Sequence, residues 1–294
     1  MRAFFLDILR RTYNSPLKKL YHGLPAPLKA PARAIRSFVS GDPAPPESIP
    51  RVYPVLRCNL ACPYCSDGKA YDQSDMGYKE LTAARWIAII DSIPGDAVIF
   101  TGGEPTLYRD LSEIINRIKK RDVRVYTNLV FNVEKFLNSL EKPVTFFTSF
   151  HPCNPSVTVE KNLKAVRTLL AHPMCKAISS HHLILDPANG TKEDFSRWKK
   201  MFKKEGVNLL LYGNQYDVNA NSPDACAHQS RNKVRCSMDR IFLAPDGRRF
   251  ICVSKMVRNI PDGAVPLDSK LPSIVCGEYG MCSPCDEVAS VKTL

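Results

Sequence analysis

The sequence predicts an α/β protein built on a parallel sheet, and three observations predict it. Six apolar runs rich in β-branched and aromatic residues fall at 52–56, 97–101, 123–127, 144–150, 177–185 and 207–212. Stretches of helical periodicity separate them, near 79–93, 109–121, 133–140, 157–171 and 192–204. Strand and helix in regular alternation is the pattern of crossover units, which pair strands in parallel. The third observation is size: 294 residues, 44% of them hydrophobic, bury a large core as one big domain or one big and one small.

Residues 1–50 precede the alternation as a basic, proline-rich segment. Phe5, Ile8, Leu9, Thr12 and Tyr13 share one helical face opposite Arg10 and Arg11, so the first dozen residues fit a short amphipathic helix. Prolines at 16, 25, 27, 31, 43, 45, 46 and 50 then limit the segment to short helices and extended linker. Residues 1–40 hold eight lysines and arginines against Asp7, a net +7 of the chain's +12. Two readings stand: a solvated arm packed on the domain, or contact with an anionic membrane surface through residues 1–40. A body carrying only +5 argues against nucleic acid as a partner, because a basic stripe across the domain is missing.

The first apolar run ends in Cys58-Asn59-Leu60-Ala61-Cys62-Pro63-Tyr64-Cys65, cysteines spaced C-x3-C-x2-C. Three thiolates on one strand-end loop can hold three irons of a 4Fe–4S cluster and leave the fourth open for a ligand. A zinc site or a disulfide is the alternative, although zinc favours four ligands, often as paired C-x2-C. The second run ends in Thr101-Gly102-Gly103-Glu104-Pro105. Two glycines let the backbone approach a ligand closely, and Glu104 offers a carboxylate to an ammonium group.

Together these motifs resemble the radical S-adenosylmethionine (radical SAM) enzymes, marked by a C-x3-C-x-aromatic-C loop, with Tyr64 in the aromatic slot, and a Gly-Gly-Glu-Pro turn after the second strand. The resemblance implies a partial (β/α)6 TIM-like barrel over residues 51–225, with reactive residues at the carboxyl ends of strands. It implies that Cys58, Cys62 and Cys65 bind a 4Fe–4S cluster whose open iron chelates SAM. Glu104 and the Gly102–Gly103 backbone would hold the SAM amino group. One electron then cleaves the sulfonium, and the 5′-deoxyadenosyl radical takes a substrate hydrogen. An electron donor such as flavodoxin or ferredoxin is implied as a partner.

Further strand-end residues fill out the expected pocket. Thr127, Asn128 and Ser149 match positions where relatives contact SAM; ordinary turn or capping roles are the alternative. His151, His181, His182, Asn214, Gln215 and Asp217 are candidates to face substrate, with His151 and Asp217 as the candidate acid or base.

Residues 226–294 hold six of the eleven cysteines. Asp246-Gly247 between two apolar runs predicts a β-hairpin that draws Cys236 and Cys252 together. The spacing Cys236-x10-Gly247-x4-Cys252 is similar to the SPASM and twitch extensions of radical SAM enzymes. That similarity implies an auxiliary 4Fe–4S cluster on Cys236, Cys252, Cys282 and Cys285, with Cys276 as a substitute; a structural zinc is the alternative. Cys153, Cys175 and Cys226 read as ordinary thiols.

An odd number of clustered cysteines points to metal in a reducing, cytoplasmic setting. No apolar run approaches the roughly 18 residues of a membrane span, and Asp7 interrupts the only signal-like start. The expected activity is oxidation of a small molecule, sugar-like or lipid-linked, because no separate peptide-leader-binding domain is evident. A peptide-maturing radical SAM enzyme and a non-catalytic iron–sulfur or zinc protein are the alternatives.

Overall fold

Six parallel strands lie side by side in chain order: β1 (Arg51–Val52), β2 (Ala97–Phe100), β3 (Asp122–Thr127), β4 (Val144–Phe150), β5 (Cys175–Leu183) and β6 (Leu209–Leu211). Helices α1 (Ala83–Ser92), α2 (Leu111–Arg117), α3 (Val133–Asn138), α4 (Val159–Ala171) and α5 (Lys192–Lys204) connect β1 through β6. The structure is a computed structural model that describes residues 49–62, 77–152, 154–183, 192–211, 233–237, 240–269, 272–277 and 290–294. The basic segment, with its expected amphipathic helix and membrane contact, lies outside the described residues apart from its last two positions, as do Tyr64, Cys65, Cys153, Asn214, Gln215, Asp217, Cys226, Cys282 and Cys285.

Burial along the strands separates two faces. In β4, Val144, Phe146, Thr148 and Phe150 are buried while Thr145, Phe147 and Ser149 are half-exposed; β3 alternates in the same way. A sheet wound with helices on both faces would bury every position. Here the buried face meets the helices, through Trp86 and Ile90 of α1, Leu111 and Ile115 of α2, Leu137 of α3, Val166 of α4 and Phe202 of α5. Each large side chain buried there stabilises by about 1.5–3 kcal/mol. Sequential order with one covered face is the architecture of an open, partial barrel, and the half-exposed face is its interior.

Local chemistry trims the elements relative to the apolar pattern. β1 is shorter than the run 52–56 because Pro54 has no N–H for the ladder, although Val55 and Leu56 remain fully buried. α2 ends at Arg117, not near 121, as Lys120 turns inward and donates its ammonium hydrogens to the carbonyls of Ile93 and Gly95. Thr82, Asn132 and Thr158 start α1, α3 and α4 by accepting from the backbone N–H three residues on.

The predicted hairpin forms, with β8 (Phe242–Leu243) antiparallel to β9 (Arg249–Phe250). It does not stand apart: β8 pairs in parallel with β1, and β10 (Ala264–Val265) extends the same sheet, giving nine strands among the described residues. β7 (Val234–Ser237) is the centre of a small sheet between β11 (Ser273–Cys276) and β12 (Ser290–Thr293). A second apolar cluster, including Tyr53, Leu56, Tyr78, Phe242, Phe250, Met256 and Ile274, joins this region to the start of the barrel.

Candidate active site

The loop after β1 and the turn after β2 are locked together through the backbone. Gly102 has φ of +138°, and a Cβ on it would lie 2.4 Å from the Val55 carbonyl oxygen. A Cβ on Gly103 would lie 2.3 Å from both the Leu56 and Arg57 carbonyl oxygens. The Glu104 N–H donates to that Arg57 carbonyl at 3.1 Å. The absent side chains of both glycines therefore make room for a protein segment, the one that leads into Cys58.

Glu104 is fully buried. Its Oε1 accepts from the Thr106 N–H at 3.2 Å and from the hydroxyls of Thr106 and Thr127 at 2.7 and 3.0 Å. Its Oε2 accepts from the Asn128 N–H at 2.8 Å and the Thr127 hydroxyl at 3.1 Å. Burial raises the Glu104 pKa, and these donors oppose the rise. Every one of these donors is neutral, so among the described residues the carboxylate is held without a cationic side chain.

Asn128 links this carboxylate to the cysteine loop. Its side-chain amide donates to Asn59 Oδ1 at 2.7 Å and points at Cys58 Sγ at 3.7 Å. Its own Oδ1 accepts from the Val130 N–H at 2.8 Å, which helps hold Leu129 at a positive φ of 62°. The Cys58 thiol is pushed up by burial first, with the Glu104 charge adding to the rise.

On the other side of the loop, Cys62 Sγ lies 3.6 Å from His151 Nδ1, and His151 Nε2 lies 2.7 Å from Ser149 Oγ. Burial depresses the His151 pKa to about 4, so the ring is neutral near pH 7. His181 and His182 separate by face. His181 is buried against Phe202 of α5 with ring centroids 4.5 Å apart, and burial with the neighbouring histidines lowers its pKa to about 3. His182 is paired in register with Ser149, on the interior face. That face also presents Arg124, ion-paired with Asp122, and Tyr126 stacked on Phe147 at 4.5 Å.

Three supporting residues escape the motif reading. Asn59 sits inside the cysteine loop, Thr106 follows the Glu-Pro pair, and Arg57 pairs with Glu80 while donating to the Leu107 carbonyl at 2.8 Å. Thr106 had a readable signal, since Glu-Pro-Thr invites a carboxylate cap on a proline-led turn, which is what Glu104 makes over Pro105–Leu107.

In the small sheet, Cys236 is buried on β7, and its pKa rises to about 11 through burial and then through the nearby Cys252 and Cys276. Cys276 ends β11. Among the described residues no group of three or more His, Cys, Asp or Glu is gathered as a metal site.

Thiols on a strand-end loop are thus tied through Asn128 to a buried carboxylate at the carboxyl ends of strands in an open α/β barrel. The chain belongs to the Radical SAM superfamily, which it matches over residues 52–204, just over half its length. Over 77 residues it is 40% identical to a PqqA peptide cyclase of Bradyrhizobium diazoefficiens, a match taking in 25% of this chain and 19% of that one. Over 131 residues it is 34% identical to a GTP 3′,8-cyclase of Aquifex aeolicus, 41% of this chain and 39% of that one. The matches thus span from a fifth to two fifths of those relatives. Among solved structures, native anSMEcpe with bound AdoMet and a Kp18Cys peptide shares the fold, with a TM-score of 0.51 at 13% identity over 77% of this chain and 79% of that one.

The family implies a 4Fe–4S cluster and SAM, and the residues present fit both. Cys58 and Cys62 are half-buried thiols with side-chain nitrogens of Asn128 and His151 nearby, and Glu104 is a buried carboxylate that lacks a counter-cation among its described hydrogen-bond partners. Among the described residues no helix is long and apolar enough to cross a membrane.

Proposed function

We propose that Cys58, Cys62 and Cys65 hold the cluster and that Glu104, with the Gly102–Gly103 backbone, binds the ammonium group of SAM. The observation that carries this reading is the Glu104 carboxylate, buried among neutral donors and one side chain, Asn128, away from Cys58. A buried anion satisfied only by neutral donors retains its attraction for a cation. When bound, the cluster and SAM supply reductive cleavage to a 5′-deoxyadenosyl radical, the hydrogen abstractor. The chain's part is to place and shield it. Thr127 and Asn128 hold the carboxylate in place, and they and Ser149 border the ligand.

We infer that the substrate is a small molecule, sugar-like or lipid-linked, lying on the interior face, and that it is oxidised. The half-exposed Arg124, Tyr126, Phe147, Ser149 and His182 support this, as polar and aromatic groups suited to a hydroxylated molecule. Cys236, Cys252, Cys282 and Cys285, with Cys276 as substitute, would hold a second cluster serving as one-electron acceptor. Cys252 and Cys276 both lie near enough to Cys236 to raise its pKa, which supports it, although among the described residues the three are not gathered as a metal site. The cysteine-rich composition favours a cytoplasmic setting. A second reading, a peptide substrate, draws on the 77 residues shared with PqqA peptide cyclase.

The test is iron and labile sulfide per chain after anaerobic reconstitution, with 5′-deoxyadenosine measured under dithionite and SAM. About eight irons, falling to about four in a Cys58→Ala/Cys62→Ala/Cys65→Ala variant that makes no 5′-deoxyadenosine, is the expected result. Wild-type protein that forms none would sink the assignment. Four irons falling to none would remove the second cluster and the oxidation that depends on it.

A further inference from the structure

Both nitrogens of His151 are engaged inside the protein, which changes the role open to this residue. The sequence suggested an acid or base facing substrate, but Nδ1 lies 3.6 Å from Cys62 Sγ and Nε2 lies 2.7 Å from Ser149 Oγ. The direction of these bonds follows from the chemistry of the sulfur. A cysteine bound to iron is a thiolate and has no hydrogen to give, so Nδ1 must be the donor. A neutral imidazole has one N–H, so Nε2 must accept. The Ser149 hydroxyl supplies that hydrogen, since its other acceptor, the Thr127 carbonyl, is distant at 3.4 Å. Thiolate and serine thus agree on the tautomer that points N–H at sulfur, the arrangement by which outer residues orient and tune metal ligands.

We propose that His151 is a positioning residue whose Nδ1–H donates to the Cys62 thiolate and raises the reduction potential of the cluster on Cys58, Cys62 and Cys65. The proposal rests on the radical SAM reading above. Hydrogen bonds to cluster sulfurs withdraw negative charge and favour the reduced state, which carries one more electron. Asn128 does the same at Cys58 from 3.7 Å. Two of the three cysteines therefore face an N–H from the loops after β3 and β4, so strand-end residues from separate elements converge on one property of the cluster.

The experiment is a redox titration of the reconstituted full chain followed by electron paramagnetic resonance, reading the signal lost in the Cys58→Ala/Cys62→Ala/Cys65→Ala variant. His151→Phe should lower the reduced-to-oxidised ratio at fixed potential about tenfold, ~59 mV for a one-electron couple. His151→Asn sets an amide N–H where Nδ1 stood and should restore the wild-type midpoint. His151→Gln, whose amide falls near Nε2, should not. A His151→Phe midpoint unchanged at full iron content overturns the proposal and leaves the SAM site standing. Should His151→Phe fail to hold its cluster, an unshifted midpoint in His151→Gln overturns it equally. A wild-type signal that does not depend on the three cysteines overturns the underlying cluster assignment instead.

Discussion

At the scale of single residues, the centre depends on atoms that are missing. Gly103 has no room for even a methyl group, since a Cβ would sit inside the contact radius of two carbonyl oxygens of the chain entering Cys58. Backbone cannot swing aside as a side-chain tip can. Gly103→Ala should therefore destabilise the fold by about 1–3 kcal/mol and lower iron loading at the first cluster, read by thermal unfolding and iron content. Unchanged values of both would mean that the turn relaxes freely. Motif spacing singled out Cys58, Cys62, Gly102, Gly103 and Glu104 from sequence, and the structure brings their loops together. What each glycine touches was not legible, because that depends on which segment the fold brings against it. Asn59 stayed hidden for the same reason, as its partners Asn128 and Val130 reach it only once the loops after β1 and β3 meet, whereas Thr106, bonded to Glu104 two residues away, was readable.

Secondary-structure elements show a different division. The half-exposed face of β3 and β4 was readable as alternation, and the interior of the barrel follows from it. The separation of His181 from His182 onto opposite faces of β5 also follows from the period of two, but the irregular register against β4 makes it hard to assign from sequence. His181 clamps β5 to α5 through Phe202, in a site that disfavours its charged form. The unfolded imidazole takes up a proton below about pH 6.5, whereas the folded one resists until about pH 3. Stability should therefore fall as pH drops through that window, by on the order of 3 kcal/mol at pH 4 from this group alone. His181→Phe, which leaves Thr148 its bond to the Ser180 carbonyl, should flatten part of that acid limb. Denaturant midpoints from pH 7 to pH 4 would show it, and parallel curves for the two proteins would refute the assignment.

For the molecule as a whole, the C-terminal region is part of the barrel's edge. The composition shift near residue 225 suggested a boundary, yet β8 pairs with β1, and Tyr53, Leu56 and Tyr78 share a core with Phe242, Phe250 and Met256. Composition marks where chemistry changes, while pairing is decided by which edge strand lacks a neighbour, and a two-residue β1 gives little sign of that need. A fragment of residues 49–225 should accordingly lack cooperative unfolding and should self-associate through the bared β1 edge, measurable by calorimetry and sedimentation. A monomeric fragment with a sharp transition would show the barrel to be self-sufficient. The same ladder has a temporal side. The N–H groups of Arg51 and Tyr53 donate to the carbonyls of Ile241 and Leu243, whereas the Val52 carbonyl is met by the Thr101 N–H. On a ribosome adding about 5–20 residues per second, the second neighbour of β1 emerges about 7–28 s after the first. For that interval the nascent strand that leads into the cysteine loop has one bonded side and one bare side, so any metal loading before synthesis ends would meet an unfinished cradle.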